Sequence, residues 1–188
     1  PYPYCYTACD ATAKGSEYYN IQFTHPLSGD PTWALSSDKV DPKKNYFTRE
    51  WGDNVDDWNS HNSPSRASRS WGEYPMLVQA KGYGKPDYQY TCYDALYRTT
   101  RQHVGGCLWH SFDHQRGYHP DPFYGGLMDV FRQPKYSYYM FMAQRPAVKN
   151  DRNAGSGPMV YIAHEMTPFS GKDVTVYSNC DEVRLTFN

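Results

Sequence analysis

One carboxylate stands where a parallel barrel enzyme would place a catalytic group. Glu50 is the last residue of a predicted strand, residues 46–50, and a turn that contains Gly52 follows it. In a (β/α)8 barrel, catalytic groups lie at the carboxyl ends of the strands. Arg49 would keep this carboxylate ionised and Trp51 would shield it, which suits a nucleophile that attacks an anomeric carbon. A structural ion pair between Arg49 and Glu50 is the alternative interpretation.

A second group of polar and aromatic residues follows a later predicted strand, residues 104–112. Trp109 and Asp113 lie four residues apart across the end of this strand, and Arg116 comes shortly after them. An indole there can serve as a platform under a sugar ring, while Asp and Arg can bind hydroxyl groups through charge-assisted hydrogen bonds. Two structural alternatives are equally open, namely Trp109 in a barrel core and a loop-fixing ion pair between Asp113 and Arg116.

The histidines of the same segment are candidate metal ligands. His110 and His114 have the i, i+4 spacing of a zinc-binding helix, but residue 111 is Ser, and Gly117 and Pro120 interrupt any helix. Zinc needs ligands that converge tetrahedrally. We therefore expect no metal site, and we expect no cofactor, because the sequence contains no P-loop and no dinucleotide motif.

The composition argues against nucleic acid and membranes as partners and is compatible with carbohydrate as a partner. The chain has 188 residues, with 19 Lys and Arg against 20 Asp and Glu, which argues against nucleic acid as a partner. No apolar run is long enough to span a bilayer, so no membrane partner is expected. The 19 Tyr and five Trp suit a surface that binds sugar rings. A tyrosine-rich core is the alternative, and composition alone favours it.

The five cysteines form no CxxC pair, which excludes a zinc ribbon and argues against a disulfide framework. Most of them are predicted to be buried thiols. These residues do not fix the compartment, and a periplasmic or secreted location is our hypothesis.

The predicted elements alternate between strands and helices over the first 148 residues. Such alternation favours an α/β fold with a parallel sheet or barrel. A long polar loop with short helical pieces is predicted at residues 54–72, and Gly82-Tyr83-Gly84 is predicted to be a turn. The predicted strands are residues 20–24, 46–50 and 104–112, and the predicted helices are residues 88–103 and 133–144.

A linker and a change of period follow this region. Residues 149–158 are rich in Gly, Asn and Asp, and beyond them the apolar pattern alternates with a period of two. Strands are predicted at residues 159–163, 173–177 and 182–187. We therefore expect a domain over residues 1–148, a linker over 149–158 and the start of an all-β domain over 159–188. Because the sequence starts at Pro and stops within a strand pattern, we expect both ends to be cuts through a larger protein.

Three segments, taken in order, resemble glycoside hydrolase family 2, the β-galactosidase and β-glucuronidase group. Residues 48–53, Thr-Arg-Glu-Trp-Gly-Asp, resemble its nucleophile strand, where an aromatic residue and a small one follow a Glu. Residues 105–113, Gly-Gly-Cys-Leu-Trp-His-Ser-Phe-Asp, resemble its eighth barrel strand. Residues 160–165 and 174–183 are similar to the start of the β-sandwich that follows the barrel.

This resemblance implies a fold and a reaction. The chain would hold roughly strands 6–8 of a (β/α)8 TIM barrel, followed by the first strands of an immunoglobulin-like β-sandwich. Glu50 would be the nucleophile of a retaining β-glycosidase that hydrolyses O-glycosidic bonds in oligo- or polysaccharides. Trp109 would be the sugar platform, His25 would face the pocket, and Asp53 and Asp113 would be sugar contacts or their supports. The predicted substrate-binding residues are Trp109, Asp113, Trp51, Asp53, His25 and Arg116.

The sequence departs from the family at the second catalytic carboxylate. The family's general acid/base is a Glu that follows an Asn, and this sequence contains no Asn-Glu pair. The acid/base and the rest of the barrel would come from a preceding part of the protein or from another chain. Alone, the chain is expected to be inactive on ordinary glycosides. The alternative is a non-catalytic carbohydrate-binding module that uses surface Trp and Tyr, with Glu50 structural.

Overall fold

The computed structural model describes residues 21–24, 43–51, 66–84, 103–115, 120, 122–150, 152 and 155–186. The described residues form five strands, a 3-10 helix and two α-helices, in this order: β1 (Ile21–Thr24), β2 (Asn45–Trp51), the 3-10 helix (Arg69–Trp71), α1 (Glu73–Gly84), β3 (His103–Leu108), α2 (Tyr136–Met142), β4 (Val160–Ala163) and β5 (Thr175–Ser178).

The first three strands form a parallel sheet with β2 in the middle. The run Tyr46-Phe47-Thr48 in β2 consists of aromatic and β-branched residues, which favour a strand. Parallel neighbours need long crossover connections, usually helical, and α1 lies between β2 and β3 in the chain. The α/β class is therefore confirmed for this region, as are the strands predicted at residues 20–24 and 46–50.

The third strand is shorter than the predicted one, residues 104–112. Its pairing with β2 ends where Trp51 lies opposite Leu108. Beyond this point the chain takes a different partner, since Phe112 forms an isolated bridge with Met128. Trp109 is therefore the first residue outside the strand.

The main core lies between α1 and α2. Met76, Ala80 and Tyr83 of α1 are buried against Tyr136 and Met140 of α2. The sequence analysis missed α1 and predicted its last residues as a turn, which is wrong. The buried face of α1 also contains Gln79 and Gly82, so the apolar spacing that marks a helix is absent.

The second helix is confirmed but is shorter than residues 133–144. The backbone of Lys135 is extended at the helix N-cap, with φ −93° and ψ 173°. Its N–H donates to the Leu127 carbonyl at 2.9 Å, so residues 133–135 belong to the preceding loop. The helix predicted at residues 88–103 lies outside the described residues, apart from His103, which begins β3.

After residue 159 the fold changes to an antiparallel pair. Val160 of β4 lies opposite Ser178 of β5. Two of the three strands predicted in this region are thereby confirmed, whereas residues 182–186 are not a strand. Val183 and Leu185 remain 55% and 47% exposed, so little burial offsets the entropy cost of ordering a third strand.

The β4–β5 pair packs directly on the α-helices. The ring of Tyr161 stacks on that of Tyr139 in α2, with an interplanar angle of 5°. The Asn179 amide donates to the carbonyls of Arg145 and Gly157, at 3.1 and 2.9 Å. These contacts join residues on both sides of the segment predicted as a linker.

Two cysteines differ from the prediction of buried thiols. Cys107 and Cys180 are free and exposed. Cys107 lies on β3, which is the last strand of the described sheet, and Cys180 follows the end of β5. Cys5, Cys9 and Cys92 lie outside the described residues. In the part of the chain that the structure describes, no helix has the length and apolar character that crossing a bilayer requires.

The helix pair provides a direct test of this core. Met76→Ala should lower the free energy of unfolding by about 2–5 kcal/mol, because it leaves a cavity beside α2. Tyr74→Ala is the matched control on the same helix: its ring is 76% exposed, so it should change stability by less than about 0.5 kcal/mol. Urea unfolding followed by circular dichroism measures both. Equal losses for the two variants would contradict this packing.

Candidate functional site

The parallel sheet brings together the chain positions at which chemistry is predicted. Carboxyl ends of parallel strands meet at one edge of a sheet. Glu50 is the penultimate residue of β2, and Trp109 immediately follows β3. Because Trp51 lies opposite Leu108, Glu50 and Trp109 are each one residue from the same cross-strand pair. Of the other predicted site residues, His25, Asp53 and Arg116 lie outside the described residues.

A cleft opens directly beyond β3. Its volume is about 390 Å³, within the range of small-molecule sites. Two of the predicted substrate-binding residues, Trp109 and Asp113, line it. The full lining consists of Trp109, His110, Ser111, Phe112, Asp113, His114, Val130 and Arg132.

An aromatic cluster fixes the indole at the head of the cleft. The ring centroid of Trp109 lies 5.3 Å from that of His110 and 6.1 Å from that of His114, in edge-to-face arrangements. The two imidazoles are themselves 4.6 Å apart, and Phe123 packs on His110 at 4.7 Å. Edge-to-face pairs hold rings in specific orientations. The peptide bond between Trp109 and His110 is cis.

Asp113 forms a buried ion pair with Lys135. The Lys135 Nζ donates to Asp113 Oδ1 at 2.7 Å, and the two side chains are 0% and 3% exposed. The same Oδ1 accepts the Gly126 N–H at 2.9 Å. Lys135 also donates to the Tyr124 carbonyl at 2.9 Å. The pair therefore joins the exit of β3 to the start of α2 and to the loop between them.

Burial opposes both charges of this pair. It raises the pKa of the Asp113 carboxyl above its ordinary value, against the attraction of Lys135. It lowers the pKa of the Lys135 ammonium, against the attraction of Asp113. At 2.7 Å the two groups stabilise each other's charged form, so each depends on the other. The described partner of Asp113 is therefore Lys135. Arg116, the partner in the alternative interpretation, lies outside the described residues.

Polar side chains from both helices hold the loop at residues 124–126. The Gln79 amide donates to the carbonyls of Tyr124 and Gly126, at 3.3 and 3.4 Å. Ser137 donates in turn to Gln79 Oε1 at 2.9 Å. The Tyr83 hydroxyl donates to the Gly125 carbonyl at 2.6 Å. Buried loop carbonyls need such donors, which explains the polar buried face of α1.

Two residues of this region were missed by the sequence analysis. Lys135 lies at the start of the helix that it predicted over residues 133–144, and Arg132 directly precedes that helix. The signal for Lys135 was a lone cation directly before the aromatic run Tyr-Ser-Tyr-Tyr-Met-Phe-Met, since a charge beside an apolar helix needs a buried partner. No comparable signal marks Arg132.

No metal centre is found in the described part of the chain. The described residues contain no group of three or more His, Cys, Asp or Glu side chains that could hold an ion. His110 and His114 contact each other edge-to-face. Residues 116–119 and 121, which include His119 and Asp121, are outside the described ranges.

Removing only one member of the ion pair is expected to lower the stability more than replacing both members. Lys135→Met should lower the free energy of unfolding by about 3–5 kcal/mol, because it leaves the Asp113 carboxylate buried and uncompensated. Adding Asp113→Asn should recover more than half of this loss, because the amide oxygen can still accept from Gly126. Chemical denaturation of the two variants measures the difference. A double variant no more stable than Lys135→Met would contradict the pair's role.

The single variant should also acquire a specific pH dependence. The pKa of Asp113, already raised by burial, rises further without Lys135. A carboxyl whose pKa is higher folded than unfolded binds more protons in the folded state between those two values. Stability of Lys135→Met should therefore increase as the pH falls from 7 toward 5, whereas the double variant with Asp113→Asn should lack this gain. Thermal unfolding at several pH values measures it.

Comparison with known proteins identifies related sequences. No family model matches the chain. The chain is 28% identical to a β-galactosidase of Thermoanaerobacter pseudethanolicus over 120 residues, which cover 60% of this chain and 13% of that protein. It thus spans a small part of that relative.

Solved structures also align, over a fifth of their length. A β-glucuronidase of Parabacteroides merdae, with glycerol in its active site, aligns with a TM-score of 0.48 and 18% identity, covering 88% of this chain and 22% of that one. A β-glucuronidase of Bacteroides uniformis gives a TM-score of 0.48 and 19% identity, covering 86% and 22%. The resemblance predicted from the sequence is confirmed by the sequence match: this chain is similar to part of a β-galactosidase.

Proposed function

We propose that this chain is part of a retaining β-glycosidase, most like β-galactosidases, which hydrolyses O-glycosidic bonds in oligo- or polysaccharides. The observation that carries the proposal is the parallel order of β1, β2 and β3. It supports a site at the carboxyl edge of the sheet, where Glu50 is the penultimate residue of one strand and Trp109 follows its neighbour. The similarity to a β-galactosidase supports the same reaction class.

In this proposal the fold is a partial (β/α)8 TIM barrel, roughly strands 6–8, followed by the first strands of an immunoglobulin-like β-sandwich. The barrel would occupy residues 1–148, with a linker at 149–158 and the sandwich from 159. The parallel sheet and the antiparallel β4–β5 pair support the two parts. The rest of the barrel would belong to another part of a longer protein or to another chain.

The reaction would proceed in two displacements. The Glu50 carboxylate attacks the anomeric carbon and forms a glycosyl-enzyme ester, while a second carboxylic acid protonates the departing oxygen. The same second group then removes a proton from water, which attacks the ester and releases the sugar with retained configuration. That acid/base Glu is not in this chain, and a retaining mechanism needs it about 5–5.5 Å from the nucleophile.

The cleft residues would bind and position the sugar. Trp109 would offer its indole as a platform to the apolar face of a pyranose, in an orientation that His110 and His114 help to hold. Asp113 would act as a support, since its carboxylate is occupied by Lys135 and Gly126. Trp51, at the end of β2, would add a second aromatic group. Roles for His25, Asp53 and Arg116 remain predictions.

The test is covalent trapping of the nucleophile in the full-length protein. An activated 2-deoxy-2-fluoro-β-galactoside should label Glu50, because the fluorine slows hydrolysis of the ester and lets it accumulate. Peptide mass spectrometry locates the label. Glu50→Gln should abolish labelling and lower kcat by at least about 10³-fold, as loss of a nucleophile does. Glu182→Gln, at an exposed position, is the matched control and should leave both unchanged.

Other outcomes separate the alternatives. Labelling of a different carboxylate, or full activity of Glu50→Gln, would refute the assignment of Glu50. Sugar binding without any labelling would instead favour the non-catalytic module, in which surface aromatic rings bind the sugar. Turnover by the isolated 188-residue chain would contradict an acid/base supplied from elsewhere.

A further inference from the structure

His114 brings to the cleft a hydrogen-bonding atom that the proposed reaction does not use. It lines the cleft together with Trp109, and it is half-buried. In the proposed reaction only its ring has a role, as a support for the indole. The imidazole also carries two nitrogens, and the surroundings of these nitrogens differ.

One ring nitrogen of His114 is bonded to the backbone. Nδ1 lies 3.2 Å from the carbonyl oxygen of Phe112. A carbonyl oxygen can only accept a hydrogen bond, so Nδ1 carries the proton and donates. The bond that one ring nitrogen makes sets the protonation of the other. In the neutral ring, Nε2 is therefore an acceptor.

The second nitrogen, Nε2, points away from this carbonyl. Among the described residues, no group forms a hydrogen bond with Nε2. The neighbouring carboxylate of Asp113, by contrast, already accepts from Lys135 and Gly126 through its Oδ1. Since the Nδ1 edge of the His114 ring faces the backbone, Nε2 is the polar atom that this residue can offer to a ligand in the cleft.

Backbone and ring contacts fix the position of this nitrogen. The His114 N–H donates to the Phe123 carbonyl at 3.2 Å, and the His114 carbonyl accepts the Phe123 N–H at 2.8 Å. The imidazole packs edge-to-face on His110 and Trp109, with ring centroids 4.6 and 6.1 Å away. Gly125 leaves room for these rings, because a Cβ there would lie 2.8 Å from Cε1 of His110. An acceptor held in this way loses little freedom when a ligand binds.

From this arrangement we infer that His114 determines specificity, because its Nε2 binds one hydroxyl, at C3, C4 or C6, of the sugar that lies on Trp109. Ligand sites fix the orientation of their ligands through a few placed polar groups, and this nitrogen lies beside the indole in the same cleft. A site that bonds a substrate hydroxyl rejects analogues that lack it. The inference rests on the proposed function only in that both place a galactose-type sugar on Trp109. It adds the residue that selects this sugar.

The test measures the binding of sugars that differ by one hydroxyl to the full-length protein. Isothermal calorimetry compares the methyl C-glycoside of β-D-galactose, which has no glycosidic oxygen to be cleaved, with its 3-, 4- and 6-deoxy analogues. At one of the three positions, loss of the hydroxyl should weaken binding about 5- to 20-fold in the parent protein. In His114→Asn the same loss should cost less than about twofold, while the other two positions should behave as in the parent.

Two substitutions of His114 separate its ring nitrogens. The amide of His114→Asn can still donate to the Phe112 carbonyl but has no atom in the place of Nε2, so its thermal midpoint should stay close to that of the parent protein. The longer amide of His114→Gln reaches the place of Nε2 and should retain part of the discrimination at the same position. This variant tests the inference by itself should His114→Asn not fold. His164→Asn makes the same exchange after β4, outside the residues that line the cleft, and should change no affinity.

Failure of the inference and failure of the proposed function give different results. An equal loss for all four sugars in His114→Asn, or unchanged discrimination at all three positions, would overturn the inference even if Glu50 is labelled. Absence of binding by all four sugars would overturn it too, because no galactose-type sugar would then lie on Trp109. Discrimination at one hydroxyl that depends on His114, in a protein whose Glu50 is never labelled, would uphold the inference and refute the glycosidase.

Discussion

The candidate site depends on one buried ion pair, Asp113 with Lys135. Both side chains lie out of water, where either charge alone would be expensive. Their contact fixes three chain segments at once: the exit of β3, the loop at residues 124–127 and the start of α2. Gly126 is part of this arrangement, because a Cβ there would lie 2.3 Å from the Asp113 backbone nitrogen. The backbone can approach so closely only without a side chain at that position.

The helices α1 and α2 also support the loop at residues 124–126. Gln79 and Tyr83 donate from α1 to carbonyls of the same loop, and Ser137 of α2 holds the Gln79 amide in place. The apolar contacts between α1 and α2 stabilise the core. They also fix the position of α1, from which Gln79 and Tyr83 donate to the loop. The Gly126 N–H of that loop donates to Asp113, which lines the cleft beyond β3, so packing in the helix pair also supports the cleft lining.

Elements that depend on local sequence pattern could be predicted, whereas elements and ion pairs that depend on contacts between distant residues could not. Strand β1 follows from alternating apolar and polar residues and β2 from a run of aromatic and β-branched residues, while Glu50 near a strand end follows from the turn after it. α1 was missed because its buried face includes Gln79 and Gly82, and the partners of the buried Gln79 amide are loop carbonyls about 45 residues away. A pair between Asp113 and Arg116, close in sequence, was one of two open interpretations, whereas the described partner of Asp113 is Lys135, which follows 22 residues later. Local spacing cannot choose between such partners.

The ion pair also decides what charge the cleft presents. An unpaired Asp113 carboxylate in the lining would attract the Arg132 guanidinium, which lines the same cleft. Lys135 removes that possibility by satisfying the carboxylate from the buried side. Among the described residues, Arg132 stacks on an uncharged ring, that of Phe112. The buried cation of Lys135 thus neutralises the carboxylate of the cleft lining, while the exposed cation of Arg132 stacks on an uncharged ring.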